Sequence, residues 1–491
     1  MAEAVRFLLG DEPRLLREVD PTMTVLDWLR QIERRVGTKE GCAEGDCGAC
    51  TVVLARPDGR RLRYDAVNAC IQFLPTLHGR QLITVEDLKG PDGALHPAQQ
   101  AMVETNGSQC GFCTPGFVMS LFAFFHGQAA PDLDRVNDAL AGNLCRCTGY
   151  GPIVAAASRM LELAPGRRDH FSESEEETLG ALRALEDGRT VSVGAGGRQF
   201  HAPASADDLA ALLIEHPDAQ IVAGATDVGL WVTKHMRVLD TVIWTGRVAE
   251  LQRIEETGGA IEIGAAVPLG DAMPQIARHY PDFGELLRRF GSVQIRNAGT
   301  IGGNVANGSP IGDTLPALIA LGASIRLRRG RERRELPLEG FFIGYGRQDR
   351  RTSEFIERIV LPKPVQGQTF AAYKVSKRFD QDISAVCGCF TVRIEDGRVA
   401  AARIAYGGMA AIPKRALACE RATLGQAWTQ ATADAGMAAL ERDFAPITDM
   451  RAGAAYRLQV AQNLLLRLFV ETTSGPASGT RLVGESRLAH V

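Results

Sequence analysis

The stretch GCAEGDCGAC, residues 41–50, read together with Cys70, decides the reading of the first third of this chain. It sets Cys42, Cys47, Cys50 and Cys70 in the spacing C-x4-C-x2-C…C, with Gly41, Gly45 and Gly48 between the first three. A second quartet follows in QCGFCTPG (109–116) and GNLCRCTGYGPI (142–153): Cys110, Cys113, Cys145 and Cys147. Of 11 cysteines, eight thus precede residue 150, and that region has none to spare.

Four thiolates at the first spacing are the plant-type ligand set for a [2Fe–2S] cluster. The loop composition suits that task. Backbone N–H groups must point at negatively charged sulfur, and glycine supplies the φ > 0 and close approach this needs. Such bonds favour the reduced, more negative cluster and so tune its potential. The second quartet has the thiolates for another cluster. Its C-x2-C, long gap and C-x-C also permit a tetrahedral zinc centre. No HExxH or paired-histidine spacing occurs, so a hydrolytic zinc site is not supported.

Length and charge bound the rest. A chain of 491 residues exceeds one core and divides into about three or four domains. A net charge of -3 gives no reason to expect nucleic acid or an anionic membrane as partner. The N-terminal apolar run is too short for a signal peptide, and no stretch approaches the ~18 apolar residues of a membrane span. The cytoplasm is therefore the expected location, and there clustered cysteines bind metal rather than pair as disulfides.

The first segment reads as a small α+β unit: a hairpin over 5–9 and 14–19, a helix over 24–34 with Val25, Leu26 and Leu29 on one face, and a strand over 51–54. From about residue 88 four helices are expected, over 96–105, 116–126, 133–141 and 153–163, with the cysteine pairs in the connections. The polar run GRRDHFSESEEET (166–178) reads as a solvated linker. An α/β segment follows, with two glycine-rich stretches, GATDVGL (224–230) and NAGTIGGNVANGSPIGD (297–313). Neither is a Walker A loop or a G-x-G-x-x-G turn, yet both can present N–H groups to a pyrophosphate. RLRRGRERR (326–334) reads as a solvated β-hairpin around Gly330 rather than a nucleic-acid patch. The last part reads as strands 385–394 and 399–405 joined at Asp396–Gly397, then helices near 431–444 and 451–469. Cys387, Cys389 and Cys419 read as buried structural cysteines.

The motifs GCAEGDCGAC, QCGFCTPG and GNLCRCTGYGPI resemble the iron–sulfur part of the molybdenum hydroxylase family. TIGGNVANGSPIGD (300–313), FFIGYG (341–346) and YKVSKR (373–378) resemble that family's FAD domain. The resemblance covers nearly the whole chain. It implies an α+β multidomain protein with a plant-type ferredoxin β-grasp domain (1–87), a four-helix [2Fe–2S] domain (88–165), a linker (166–195), an α/β FAD-binding domain (196–366) and an α+β flavoprotein C-terminal domain (367–491). Only three cysteines remain after Leu163, too few for the extra [4Fe–4S] cluster of some relatives.

By matching motif positions, the resemblance implies that Ile221, Val222, Ala223, Gly224, Ala225, Thr226, Asp227 and Val228 wrap the FAD pyrophosphate. Thr300, Ile301, Gly302, Gly303, Asn304 and Asp313 would supply further phosphate and ribose contacts. Phe290 would pack beside the flavin ring, although core packing explains it equally, as it does Ile356; Lys374 aligns with another flavin contact. Tyr345 and residues 376–382 would lie where NAD+ approaches, and Gln109 would face molybdopterin. The implied partner is a separate large molybdopterin-binding chain, two of each per assembly, holding all catalytic residues for hydroxylation of a purine. This chain would carry electrons through two [2Fe–2S] clusters to FAD and NAD+. The alternatives are a subunit of another molybdenum hydroxylase, acting on an aldehyde or N-heterocycle, a stand-alone flavin–iron–sulfur NADH:acceptor reductase, and a zinc scaffold.

Overall fold

The computed structural model describes residues 3–127 and 132–474. Residues 1–2, 128–131 and 475–491, the last being the tail of the expected C-terminal domain, lie outside the described residues. The chain divides into two units, Met1–Ala249 with Gly291–Gly299, and Glu250–Phe290 with Thr300–Val491. The expected FAD-binding stretch 196–366 thus contributes to both.

In the first unit, β1 (Val5–Leu9), β2 (Glu12–Leu16), β3 (Thr51–Asp58), β4 (Arg61–Asn68) and β5 (Gln81–Ile83) form one mixed sheet in the order β2-β1-β5-β3-β4. β1 runs antiparallel to β2 and parallel to β5. Val5, Phe7 and Leu9 are wholly buried, as the period of two requires of a strand with one face on the core. β3 begins directly after Cys50, and Thr51 pairs with Asn68, two residues before Cys70. The hairpin therefore delivers two thiols of the first quartet side by side. The expected helix over 24–34 is shorter: a turn Val25–Asp27, capped by Thr24, that widens into a π-turn over Trp28–Ile32.

Helices Pro97–Glu104, Thr114–His126, Leu133–Leu140 and Gly151–Leu163 match the four expected. Phe117, Phe122, Phe125, Ile153 and Met160 close their core. The expectation of a solvated linker over 166–178 is corrected. Helices His170–Glu173 and Glu175–Leu185 form there, with Phe171 at 4% exposure and Leu182 at 0%. In helix Glu175–Leu185 the buried Thr178, Leu179 and Leu182 share one face, and Glu175, Glu176 and Glu177 sit in the first turn, where the helix dipole favours anions.

A second sheet in this unit joins β6 (Val191–Ala195), β7 (Arg198–Ala202), β8 (Gln220–Val222) and β9 (Thr241–Trp244) in the order β6-β7-β9-β8, with β9 parallel to β7 and β8. Helix Val293–Ala298 belongs to the same unit.

The second unit contains an antiparallel sheet of β10 (Ile254–Glu256), β11 (Ala260–Gly264), β12 (Ser324–Arg329), β13 (Glu332–Pro337) and β16 (Phe355–Pro362), ordered β10-β11-β16-β12-β13. A small hairpin, β14 (Phe342–Gly344) and β15 (Arg347–Gln348), lies between β13 and β16 in the chain. The arginine-rich run forms the β12–β13 hairpin as expected. It is less solvated than expected: Arg328 is 4% exposed beside Glu357, which Arg333 also engages at 2.8 Å, and Arg334 bonds Glu354 at 2.8 Å. Strands β17 (Gln368–Val375), β18 (Val386–Glu395), β19 (Arg398–Gly407) and β20 (Lys414–Arg415) form a meander covered by helices Gln430–Asp443 and Ala454–Ser474. The β18–β19 turn sits at Asp396–Gly397, both at positive φ. Cys387, Cys389 and Cys419 are at most 1% exposed. No helix among the described residues is long and apolar enough to cross a membrane.

Candidate functional site

The thiols of the first quartet lie in a connected row, from Cys47 to Cys42 to Cys70 to Cys50. Cys42 Sγ accepts the N–H groups of Asp46 (3.4 Å) and Cys47 (3.3 Å), as expected of a loop built to face sulfur. Hydrogen bonds from Cys47 and then Cys70 draw the Cys42 thiol far below its ordinary value. Those same bonds push Cys47 and Cys70 up, Cys70 also through its contact with Cys50. Gly45 and Gly48 take positive φ, and so does Ala43, which residue type does not foretell. Asn68 holds the loop by donating to the Gly45 carbonyl at 3.0 Å.

The second quartet pairs Cys110 with Cys147 and Cys113 with Cys145. Cys110 is lowered by the Phe112 N–H and by Cys147; Cys113 is pushed up to about 12 by burial and by Cys145. Burial opposes ionisation of Cys145, but the Thr148 hydroxyl at 3.2 Å and its N–H at 3.5 Å outweigh that and lower it. None of these cysteines is in a disulfide; Cys110 and Cys147 are exposed, whereas Cys50 and Cys70 are buried. Gln109 is exposed beside Cys110. Both quartets therefore fit clusters held by four thiolates. The Leu144 N–H donates to the Cys47 carbonyl at 3.0 Å, joining the two cysteine loops directly.

The expected FAD residues fall in two groups. In the first unit, Ile221 and Val222 end β8, and residues 223–227 turn into helix Val228–Thr233. Trp244 Nε1 donates to the Ala223 carbonyl at 3.0 Å, and Ala225 takes φ 57°. Gly224 lies against the Ala298 carbonyl and the Gly299 N, where a Cβ would collide. In the second unit, Thr300 caps helix Ile301–Asn307, its hydroxyl accepting the Gly303 N–H at 3.0 Å, and Asn304 accepts from the Thr314 hydroxyl. Asp313 bonds Lys374 Nζ at 2.7 Å and Ser384 Oγ at 2.6 Å, buried on both sides. Ile356 is 6% exposed within the core of this unit, and Phe290 packs against the same core. Tyr345 is 76% exposed between β14 and β15. Within 376–382, Arg378 N–H bonds Asp382 and Phe379 stacks under Arg289 at 4.2 Å.

Two groupings escaped the sequence reading. One is a buried polar network centred on Gln294, four residues after Phe290. The other is His96, His126 and Asp169, whose ligand atoms lie close enough to hold a metal. The tautomer argues otherwise. His96 Nδ1 accepts the Ala98 N–H at 3.1 Å, so its proton is on Nε2, which donates to Asp169 Oδ2 at 2.9 Å. Metal at Nε2 would cost that helix cap.

Comparisons with known proteins agree with this geometry. Residues 10–73 match the 2Fe-2S iron-sulfur cluster binding domain and 84–158 the [2Fe-2S] binding domain. Residues 195–364 match the FAD binding domain in molybdopterin dehydrogenase, and 371–472 the CO dehydrogenase flavoprotein C-terminal domain. The chain is 31% identical to xanthine dehydrogenase of Emericella nidulans over 96% of its own length and 39% of that protein's. It spans between a third and two fifths of the curated relatives it matches. A carbon monoxide dehydrogenase chain from Hydrogenophaga pseudoflava, in a form lacking the Mo-pyranopterin moiety, is 30% identical with a TM-score of 0.52, covering 55% of this chain and 94% of that one. A reconstituted CO dehydrogenase chain from Oligotropha carboxidovorans is 26% identical with a TM-score of 0.54, covering 57% and 99%. With four cysteines in each of two sets and flavoprotein segments following them in the sequence, this chain belongs to the molybdenum hydroxylase family as its iron–sulfur and FAD-binding part.

Proposed function

We propose that the chain is the small subunit of a xanthine dehydrogenase. In this reading it passes electrons from a molybdenum centre on a large partner chain through two [2Fe–2S] clusters to FAD and on to NAD+, during oxidation of hypoxanthine and xanthine to urate. The relatives named xanthine dehydrogenase, which match across the iron–sulfur and flavin stretches together, support this choice of substrate. The observation that carries the electron-transfer reading is the Leu144–Cys47 hydrogen bond, which makes the two cysteine loops contiguous.

When bound, the clusters supply one-electron carriage and FAD supplies the exchange between single electrons and a hydride. The chain's own residues do the holding and tuning. Cys42, Cys47, Cys50 and Cys70 hold the cluster inside the sheet-bearing domain, and the exposed Cys110 and Cys147 present the other quartet outward. Gln109, beside them, is assigned to face molybdopterin. The N–H groups aimed at Cys42 and Cys145 stabilise negative charge on sulfur. Residues 221–228, Thr300, Asn304 and Asp313 are assigned to FAD, with Phe290, Ile356 and Lys374 beside the flavin and Tyr345 toward NAD+. A reducing compartment, the cytoplasm, suits thiolates reserved for metal. The assembly is assigned as two small and two large chains.

Copurification with the adjacent large chain, followed by metal analysis and assay, tests this. Four irons and one flavin per small chain, with xanthine-dependent NAD+ reduction, are expected. An iron–sulfur flavoprotein that turns over aldehydes or carbon monoxide but not purines would move the chain to another branch of the family. A colourless, zinc-loaded product would end the redox reading.

A further inference from the structure

A row of buried amides and hydroxyls fills the seam between the two cysteine loops. Gln294, on helix Val293–Ala298, directs its Nε2 to Thr51 Oγ1 (3.1 Å), Asn143 Oδ1 (3.1 Å) and Ser120 Oγ (3.3 Å). Asn143 Nδ2 donates to the Gly48 carbonyl at 3.0 Å, and the Thr51 hydroxyl donates to the same carbonyl at 2.6 Å. Ser120 Oγ donates to Asn143 Oδ1 at 2.7 Å. All four side chains are 3% exposed or less.

Each group belongs to a different piece of the cysteine apparatus. Gly48 lies between Cys47 and Cys50, and Thr51 follows Cys50. Asn143 stands two residues before Cys145, and Ser120 rides on the helix that begins after Cys113. The seam is shaved to admit them: a Cβ on Gly48 would strike the Gly142 carbonyl, and one on Gly142 would strike the Gln294 amide. Gln294 Oε1 has no partner among the described residues although it is buried. An orphaned buried acceptor costs stability and offsets part of what the Nε2 bonds contribute. A polar group kept at a cost points to specification of geometry rather than to stability.

We infer that Gln294 is a positioning residue for electron transfer between the two quartets. By holding Asn143 and Thr51, and through them the Gly48 carbonyl, it keeps the two cysteine loops at one spacing and one orientation. The inference rests on reading the quartets as [2Fe–2S] sites. Hydrogen bonds around such sites set their potentials, and a shift of one loop against the other alters both potential and coupling.

The test uses the full chain, first assayed for iron and visible spectrum. Wild-type protein with fewer than two clusters overturns the underlying reading and the inference with it. With both clusters present, Gln294→Met and Gly142→Ala are compared with wild type by electron paramagnetic resonance of the reduced protein and by the rate of cluster-to-cluster transfer after rapid reduction. Both variants should keep their iron, lose or alter the magnetic splitting between the reduced clusters, and slow the transfer several-fold; Gln294→Met should stay within a few degrees of the wild-type melting temperature, whereas Gly142→Ala melts earlier because its Cβ crowds Gln294. If Gln294→Met fails to load both clusters, Ser120→Ala, which removes one contact of the network, should show the same altered splitting. Splitting and rates equal to wild type in every variant that retains both clusters overturn the inference.

Discussion

His96 donates from Nε2 to Asp169 Oδ2 at 2.9 Å, tying the start of helix Pro97–Glu104 to a segment 73 residues away. His126 Nε2 meets the same oxygen at 2.9 Å, while Asp169 Oδ1 accepts from the Ser172 N–H and hydroxyl at 2.8 Å. Burial opposes the charge on Asp169, but the bonds from His126 and His96 outweigh it and hold its carboxyl well below the usual range. Asp169→Ala leaves two buried imidazoles without their acceptor. It should cost about 3 kcal/mol, read as an earlier melting of the first unit. Because the folded value is depressed, the Asp169 contribution is complete above about pH 4 and is lost as pH falls below it. Zinc or nickel added to the wild-type protein should not raise its melting temperature through this trio.

His78 gives a second pH signature. It is 2% exposed, its Nδ1 accepts the Arg6 N–H at 3.1 Å, and burial first, then the nearby Arg247, lowers its imidazole to about 4. The unfolded chain takes up that proton near pH 6.5 and the folded chain does not, so stability falls as pH drops from about 6.5 to about 4. The loss at the bottom of that window is at most about 3 kcal/mol from this residue. His96, also lowered by burial, steepens the same slope. Denaturant melts of His78→Gln should show a shallower dependence between those limits and none of the difference above pH 7.

The Lys374–Asp313 pair, with side chains 3% and 5% exposed, stabilises only while both members are present. Lys374→Met strands a buried carboxylate that Ser384 alone still contacts, and should cost about 3–5 kcal/mol. The double variant Asp313→Leu/Lys374→Met should recover much of that loss, because a paired removal leaves no orphaned charge. Under the proposed assignment, both variants should bind FAD more weakly, which flavin fluorescence after gel filtration measures.

Exposure separates the two quartets chemically. With Cys110 and Cys147 exposed and Cys50 and Cys70 buried, a chelator should strip iron from the free chain in two phases, the second quartet first. Thr148→Val removes the hydroxyl beside Cys145 and should lower the potential of the second cluster while leaving the first unmoved. Equal rates at both sites would show that opening of the whole unit governs release.

Local chemistry made much of this legible in advance. Four-residue and two-residue cysteine spacings lie within reach of one loop, so Cys42, Cys47 and Cys50 are neighbours by sequence alone. The same holds for the Asp396–Gly397 turn and the four helices, whose periodicity reports their buried faces. Charge dominates the segment 166–178, and its buried residues serve two different clusters: Phe171 joins the helical core, while Leu179 and Leu182, just beyond it, pack on the sheet side. Phe290 and Ile356 show the converse: their type suits a ring contact as well as a core, and residue type alone does not separate the two.

The sequence by itself set Cys42, Cys47 and Cys50 in one loop, Cys110 with Cys113 in a second and Cys145 with Cys147 in a third, because covalent spacing limits how far a short loop can reach. Tertiary structure alone decided that Gln294 reaches Asn143, 151 residues away, that His96 and His126 share one oxygen of Asp169, and that Cys47 and Leu144 join the two loops. Hydrogen bonds between distant residues depend on how whole helices and strands pack, and no spacing along the chain encodes that.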